Sequence, residues 1–164
     1  MGIAIFWGGL VCGVLDIAYA FALYGALGIL PVRLLRGIAG GLLGSAAASG
    51  GMGIAILGLF LHFTVAFGAA VTYCLASRKL TWMIRRAFAS GLLFGVAVYF
   101  FMNFVVIPLS RIHRWPVIGA LFFVNLVEHM FVVGLPIALL ARRFMGRAEV
   151  ETSCRTGVAA SQSS

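Results

Sequence analysis

Four long stretches of apolar residues, separated by short polar segments, dominate the pattern of this chain. They cover residues 3–30, 52–76, 88–109 and 116–141, and each is bracketed by charged residues or turn formers. A helix of about 20 residues crosses the apolar core of a bilayer, because each residue rises about 1.5 Å. The pattern therefore predicts an all-α integral membrane protein with four transmembrane helices in one domain, residues 1–145.

A shorter segment of mixed character, residues 31–51, lies between the first two stretches. Arg33 and Arg36 are interspersed there with leucine and isoleucine at the spacing of an amphipathic helix, and small residues follow at 45–51. We expect a short helix at the membrane interface between the first and second spans.

The first and third spans share a short sequence similarity. Residues 9–14 (GLVCGV) resemble residues 91–96 (GLLFGV), and residues 75–78 (LASR) resemble residues 140–143 (LARR). Both matches would follow from a duplicated helical hairpin, as found in membrane proteins with internal repeats. The Gly-x-x-x-Gly pairs in these segments predict faces for close helix packing: Gly9, Gly13, Gly91 and Gly95. Pro136 in the fourth span predicts a kink.

Composition excludes a separate soluble domain. Hydrophobic residues make up 63% of the 164 and charged residues 10%, whereas soluble domains carry about 25% charged residues. The net charge of +8 comes from short clusters beside the spans, which predicts the lipid bilayer as partner and no nucleic acid. No phosphate-binding loop, metalloprotease helix or nucleophile elbow is present in the sequence, so we do not expect an enzyme.

The basic residues predict the orientation. One side would carry eight of them: Arg78, Lys79, Arg85, Arg86, Arg142, Arg143, Arg147 and Arg155. The other side would carry four: Arg33, Arg36, Arg111 and Arg114. The positive-inside rule then places both termini in the cytoplasm. Residues 146–164 are polar and are predicted to form a disordered cytoplasmic tail.

Several polar side chains fall inside the apolar spans. They are Asp16 and Tyr19 in the first span, His62 in the second, Asn103 in the third, and Asn125, Glu128 and His129 in the fourth. A charged side chain at mid-membrane costs about 2.5 to 3.5 kcal/mol, so it should face the bundle interior and find a partner. We predict a midplane polar cluster in which Asp16 reaches His62 or the Glu128/His129 pair.

The sequence also resembles an uncharacterised family of small four-helix bacterial inner-membrane proteins. The resemblance rests on Gly9-Leu10, Gly13-Val14, Asp16 and Tyr19, on Pro31 to Leu35 followed by Gly40 to Gly44, and on Gly134-Leu135-Pro136. It covers about residues 8–143. It implies a multi-pass protein of a bacterial inner membrane and no established substrate.

Three functions are compatible with these features. An accessory or structural membrane protein would use the polar cluster to hold its helices together, at about 0.6 kcal/mol per hydrogen bond. A small proton- or cation-coupled transporter or channel would use the same residues to carry charge. A haem- or metal-binding subunit would use His62 and His129 as ligands. The first is the main prediction, with no cofactor; a homo-oligomer or a larger membrane complex is compatible with all three.

Overall fold

A computed structural model of the chain describes residues 1–146, which are mostly helical and contain no β-strand. In chain order, the helices of this part are α1 (Gly2–Ala26), α2 (Pro31–Leu43), α3 (Met52–Lys79), α4 (Trp82–Arg85), α5 (Ala87–Leu109) and α6 (Ala120–Gly146). Helices α1, α3, α5 and α6 are each long and apolar enough to cross a membrane. The predicted all-α fold with four such helices is confirmed. The tail predicted at 146–164 lies outside the described residues, apart from its first residue.

The long helices do not begin and end where the apolar stretches of the sequence do. Helix α1 ends at Ala26 because the chain turns at Gly28, whose φ of +81° lies in the left-handed region that glycine adopts without strain. Helix α6 begins at Ala120 because residues 113–118 are irregular. Val117 and Ile118 raise the local hydropathy but lie exposed in that irregular segment. At their other ends, α3 and α6 continue to Lys79 and Gly146.

Helix α2 is the predicted amphipathic segment. Pro31 occupies its first turn, where a missing backbone N–H costs nothing, and Gly44 with φ +69° ends it. A 3₁₀ turn, Gly44–Ser49, then leads back toward α3. The backbone of α2 at Leu35 lies so close to Gly58 of α3 that a Cβ there would overlap the Leu35 carbonyl oxygen. Glycine at position 58 therefore permits α2 to dock on α3.

Contacts at the two ends of the bundle show that the long helices alternate in direction. At the α2 end, the Arg111 N–H donates to the Gly41 carbonyl at 2.9 Å, joining α2 to the α5–α6 connection. At the α4 end, the Tyr73 hydroxyl of α3 lies 2.7 Å from Ser90 Oγ of α5. The four long helices thus run up and down between these two ends.

The core lies between α1, α3 and α6 and is built from small side chains around a few large ones. Tyr73, Ile137, Cys12 and Cys74 are its largest fully buried side chains. Alanines fill the space between them: Ala4, Ala66, Ala70, Ala138 and Ala141. Large apolar side chains such as Phe60 cover the outside of the bundle, which suits contact with lipid tails.

Two widened helical turns interrupt α5 and α6. Residues Met102–Val106 and His129–Gly134 form π-helical hydrogen bonds from residue i to i+5. Each wide turn ends two residues before a proline, Pro108 or Pro136. Proline lacks an N–H and its ring crowds the carbonyl four residues earlier, so a wider turn accommodates it. Pro136, where the sequence predicts a kink, follows one of these wide turns; the kink itself stays a prediction.

Candidate functional site

Ionisable side chains from three helices lie at one level of the bundle. Asp16 is ten residues before the end of α1, His62 ten residues after the start of α3, and Glu128 eight residues after the start of α6. At about 1.5 Å per residue, all three lie about 12 to 15 Å from the α2 end. They can therefore meet inside the bundle.

Asp16 and His62 form the first pair of this site. The distance from Asp16 Oδ2 to His62 Nδ1 is 3.8 Å. His62 Nε2 lies 2.8 Å from the Gly13 carbonyl oxygen. Because a carbonyl can only accept a hydrogen bond, Nε2 carries a proton and donates it. In neutral His62 the Nδ1 atom that faces Asp16 is therefore free to accept a proton.

Glu128 and His129 form the second pair. His129 Nδ1 lies 2.5 Å from Glu128 Oε2 and 3.0 Å from the Asn125 carbonyl oxygen. The other carboxylate oxygen, Glu128 Oε1, is buried and has no hydrogen-bond partner among the described residues. A buried polar atom without a partner is costly and calls for an explanation, such as a bound proton, water or cation.

The two pairs combine into one cluster. Asp16, Glu128 and His129 each offer one ligand atom, and these atoms lie within 4.8 Å of one another. The side chains differ in access: Asp16 and His129 are 25% and 20% exposed, His62 is 11% exposed, and Glu128 only 2%. The cluster thus has accessible groups around one sealed carboxylate.

The other residues of the predicted cluster occupy different places. Tyr19 contributes a buried hydroxyl without a hydrogen-bond partner in the described chain. Asn125 donates from Nδ2 to its own helix and, at 3.3 Å, to the Tyr24 hydroxyl of α1. Asn103 donates only to the Tyr99 carbonyl one turn earlier in α5, at 3.0 Å. Within residues 1–146, Asn103 is not joined to the cluster.

Tyr99 is a neighbour of the cluster that the sequence did not indicate. Its ring lies edge-on to the His129 ring at 5.0 Å, and its hydroxyl donates to the Phe122 carbonyl at 2.8 Å. A tyrosine followed by Phe100 and Phe101 in an apolar helix gives no sequence signal that separates it from a lipid-facing aromatic residue. Only the packing of α5 against α6 identifies it.

Two carboxylates and two imidazoles can perform two kinds of chemistry at this location. They can share and exchange protons, since each acid lies beside an imidazole. They can also bind a cation, since carboxylate oxygen and imidazole nitrogen are common ligands of divalent metals. In the haem- or metal-binding alternative, His62 and His129 would be the ligands. The structure groups His129 with the two acids, whereas His62 Nε2 donates to the Gly13 carbonyl.

Comparison with known proteins identifies no relative of this chain. No family model matches the sequence, no curated protein matches it, and no solved structure matches it. The resemblance to small bacterial inner-membrane proteins therefore stays a prediction from the motifs that carry it.

Proposed function

We propose that this chain is a small proton-conducting membrane channel or transporter whose proton-binding site is formed by Asp16, His62, Glu128 and His129. One observation carries the proposal: Glu128 Oε1 is buried and lacks a hydrogen-bond partner among the described residues. Ionisable groups inside a membrane bundle are costly to keep, and they commonly mark ion pathways or proton relays. A proton on this oxygen would neutralise the most deeply buried acid of the site.

The order of access within the cluster supports transfer through it. Asp16, His129 and His62 are partly exposed, and Glu128 is sealed. The 3.8 Å between Asp16 Oδ2 and His62 Nδ1 is too long for a hydrogen bond, so proton transfer there requires a bridging water or a small movement. His129 contacts Glu128 directly. Protons would enter at the exposed groups and be held at Glu128.

The proposed setting is a bacterial inner membrane with both termini in the cytoplasm. The α4 end and the helices that reach it carry six of the basic residues in 1–146, and the α2 end carries four. The cluster would then lie in the half of the membrane that faces away from the cytoplasm. Fusion reporters at residue 1 and after Arg143 should report cytoplasm, and a reporter at Ser45 should report the outer side. The opposite pattern would reverse the proposed direction of access.

Proton flux is the direct test of the function. The protein is reconstituted into liposomes with a pH-sensitive dye inside, and a pH step is applied in the presence of valinomycin and potassium. We expect flux above that of empty liposomes, and at least a tenfold loss with Glu128→Gln, which cannot take up a proton. Asp16→Asn should also lower the flux. Thr72→Val is the matched control, because the Thr72 hydroxyl donates only to its own helix at Gly68.

Equal flux in the wild type and in Glu128→Gln would contradict a proton site. A purely structural cluster, as in an accessory membrane protein, predicts a different result: the variants would lower the unfolding temperature, and neither they nor the wild type would move protons.

A divalent metal ion is the second candidate, favoured by the three ligand atoms within 4.8 Å. Protein purified without chelator and dialysed against zinc or manganese should then retain about one equivalent of metal, measured by plasma mass spectrometry. Asp16→Asn and His129→Ala should lose it, and Thr72→Val should keep it. Absence of retained metal in the wild type would rule out the metal site.

A further inference from the structure

A second charged feature lies at the α2 end, away from the midspan cluster of Asp16, His62, Glu128 and His129. A cleft of about 790 Å³ opens between α2, its following 3₁₀ turn and the α5–α6 connection. Arg33 and Arg36 line it from α2, and Arg111 and Arg114 line it from the connection. The remaining residues around it are apolar or small. We call this space the arginine cleft.

The walls of the arginine cleft are fixed by the fold. The Arg111 N–H donates to the Gly41 carbonyl at 2.9 Å, which joins the connection to α2. Next to it, the Ile112 side chain packs over Gly40. His113 adopts a left-handed backbone conformation, with φ +47°, and its N–H donates to the Ser110 carbonyl. This tight turn brings both arginines of the connection to the cleft.

The positive charge of the cleft has no counter-ion in the described chain. Among residues 1–146 only Asp16 and Glu128 are acidic, and both belong to the midspan cluster. No carboxylate of that part of the chain lies within 4 Å of an arginine. Four like charges around one space repel each other, and a bound anion would relieve that repulsion.

Arg36 provides an independent indication of a ligand. Its Nε atom is buried and has no hydrogen-bond partner among residues 1–146. A buried donor without an acceptor is unfavourable, and the loss is larger when the group is charged. A small movement of the Arg36 side chain would bring this donor to an acceptor oxygen of a ligand in the cleft, which Arg36 lines.

We propose that the arginine cleft binds a phosphate-bearing anion. A guanidinium presents its N–H groups as a planar fork that matches the oxygens of a phosphate. The cleft volume lies within the range of about 300 to 1,000 Å³ typical of small-molecule sites, so a phosphate ester fits with part of the group attached to it. Such a phosphate can come from a lipid headgroup at the membrane interface or from a soluble phosphate ester.

Binding by the full chain in neutral detergent tests the proposal. The probes are dihexanoyl phosphatidic acid and glycerol 3-phosphate, with glycerol as the uncharged reference, and the readouts are the titrated Kd and the shift in unfolding temperature. We expect Arg36→Gln and Arg111→Gln each to weaken binding at least about tenfold, which is the effect of one charge-assisted hydrogen bond. Arg85→Gln removes the same charge at the α4 end and should leave the Kd unchanged.

The two probes separate the sources of the phosphate. Binding of both assigns a soluble phosphate ester, and binding of the phosphatidic acid alone assigns a lipid headgroup. Arg36→Lys keeps the charge and loses the fork, so it should weaken binding while preserving the unfolding temperature without probe. The proposal is overturned if neither probe binds the wild type, or if Arg85→Gln weakens binding as much as Arg36→Gln. Glu128→Gln should bind as the wild type does, which keeps this site separate from the proposed proton site.

Discussion

The glycine faces of the two helical hairpins contact different kinds of neighbour. In the first hairpin, formed by α1 and α3, Gly9 lies against the ring of Phe67. In the second hairpin, formed by α5 and α6, Gly95 lies against the carbonyl of His129, and Gly134 lies against the backbone of Gly95 in return. The first contact joins backbone to a side chain, and the second joins backbone to backbone. A side chain can rotate away from an added methyl group, whereas a helix backbone must shift as a whole.

This difference extends to the polar cluster. Asp16 and His62 come from the first hairpin, and Glu128 and His129 come from the second. Glu128, the one sealed acid, therefore lies on helices in backbone contact. Asp16 and His62 lie on helices whose contact includes movable aromatic rings. The α5–α6 side of the site is therefore more rigid than the α1–α3 side. This suits the proposed roles, in which Glu128 holds a proton and Asp16 and His62 exchange it.

Among the glycines between the paired helices α1 and α3 or α5 and α6, Gly134→Ala should produce the largest loss of stability. A Cβ at this position would overlap the Gly91 carbonyl oxygen and crowd the backbone of Gly95, so α5 and α6 must separate. We expect a cost of about 2 to 3 kcal/mol, the upper part of the range for overpacking. Equilibrium unfolding in mixed detergent micelles would measure it.

Gly68→Ala is the matched control for that variant. Gly68 lies on α3, and nothing lies within 4 Å of a Cβ built on it. Its substitution should change stability little or raise it slightly, because alanine favours a helix over glycine. Equal losses for Gly134→Ala and Gly68→Ala would show that helix propensity, not backbone contact, governs these positions.

Gly9→Ala should cost less, about 1 kcal/mol, because the Phe67 ring can turn aside. The sharper test is a double variant. Gly9→Ala combined with Phe67→Leu should recover part of the loss from the two single changes, since the smaller side chain makes room for the methyl group. Purely additive losses would show that the Phe67 ring does not relieve the contact, and that the first hairpin is as rigid as the second.

Tyr73→Phe tests the contact that joins the two hairpins at the α4 end. The buried Tyr73 hydroxyl lies 2.7 Å from Ser90 Oγ and donates to the Met83 carbonyl at 3.1 Å. We expect a loss of about 0.6 to 1.7 kcal/mol, the range for interhelical hydrogen bonds in membranes. A double-mutant cycle with Ser90→Ala should give a coupling energy of the same sign. A coupling energy of zero would mean that the hairpins are held by packing alone.

The smallest expected effect on stability is the difference between substitutions of Asn125 and Asn103. Asn125→Leu removes a bond to Tyr24 of another helix, and Asn103→Leu removes only a bond within α5. The first should cost about 0.6 kcal/mol in unfolding free energy and the second nothing measurable. A larger loss for Asn103→Leu would indicate a partner for this amide that the bundle of residues 1–146 does not contain.

Hydropathy was sufficient to predict the four long helices and the short helix between the first two, because apolar length is the property that defines a span. It could not predict their ends. Ile29 and Leu30 continue the apolar pattern past Ala26, although the turn at Gly28 has already ended α1. The local backbone conformation decides where a helix stops, and an averaged hydropathy carries no information about that conformation.

The cluster was predictable in its depth but not in its pairing. Counting residues along the spans places Asp16, His62 and Glu128 at one level, and the predicted approach of Asp16 to His62 is present at 3.8 Å. The direction of each imidazole was not predictable, because backbone carbonyls of Gly13 and Asn125 orient the rings. Whether this cluster acts on protons remains a prediction for the flux experiment.

The wide turn at His129–Gly134 sets the helical phase of α6. In a regular helix each residue advances by about 100°, so the nine steps from Glu128 to Ile137 would place these two side chains on opposite sides. A π turn accommodates one additional residue and reduces that difference to about 80°. Both side chains are buried in the bundle. Deleting one residue from the wide turn leaves eight regular steps, again a difference of about 80°. The deletion should therefore straighten the helix and keep the glutamate in the interior, whereas a regular helix of unchanged length would turn this acid toward lipid.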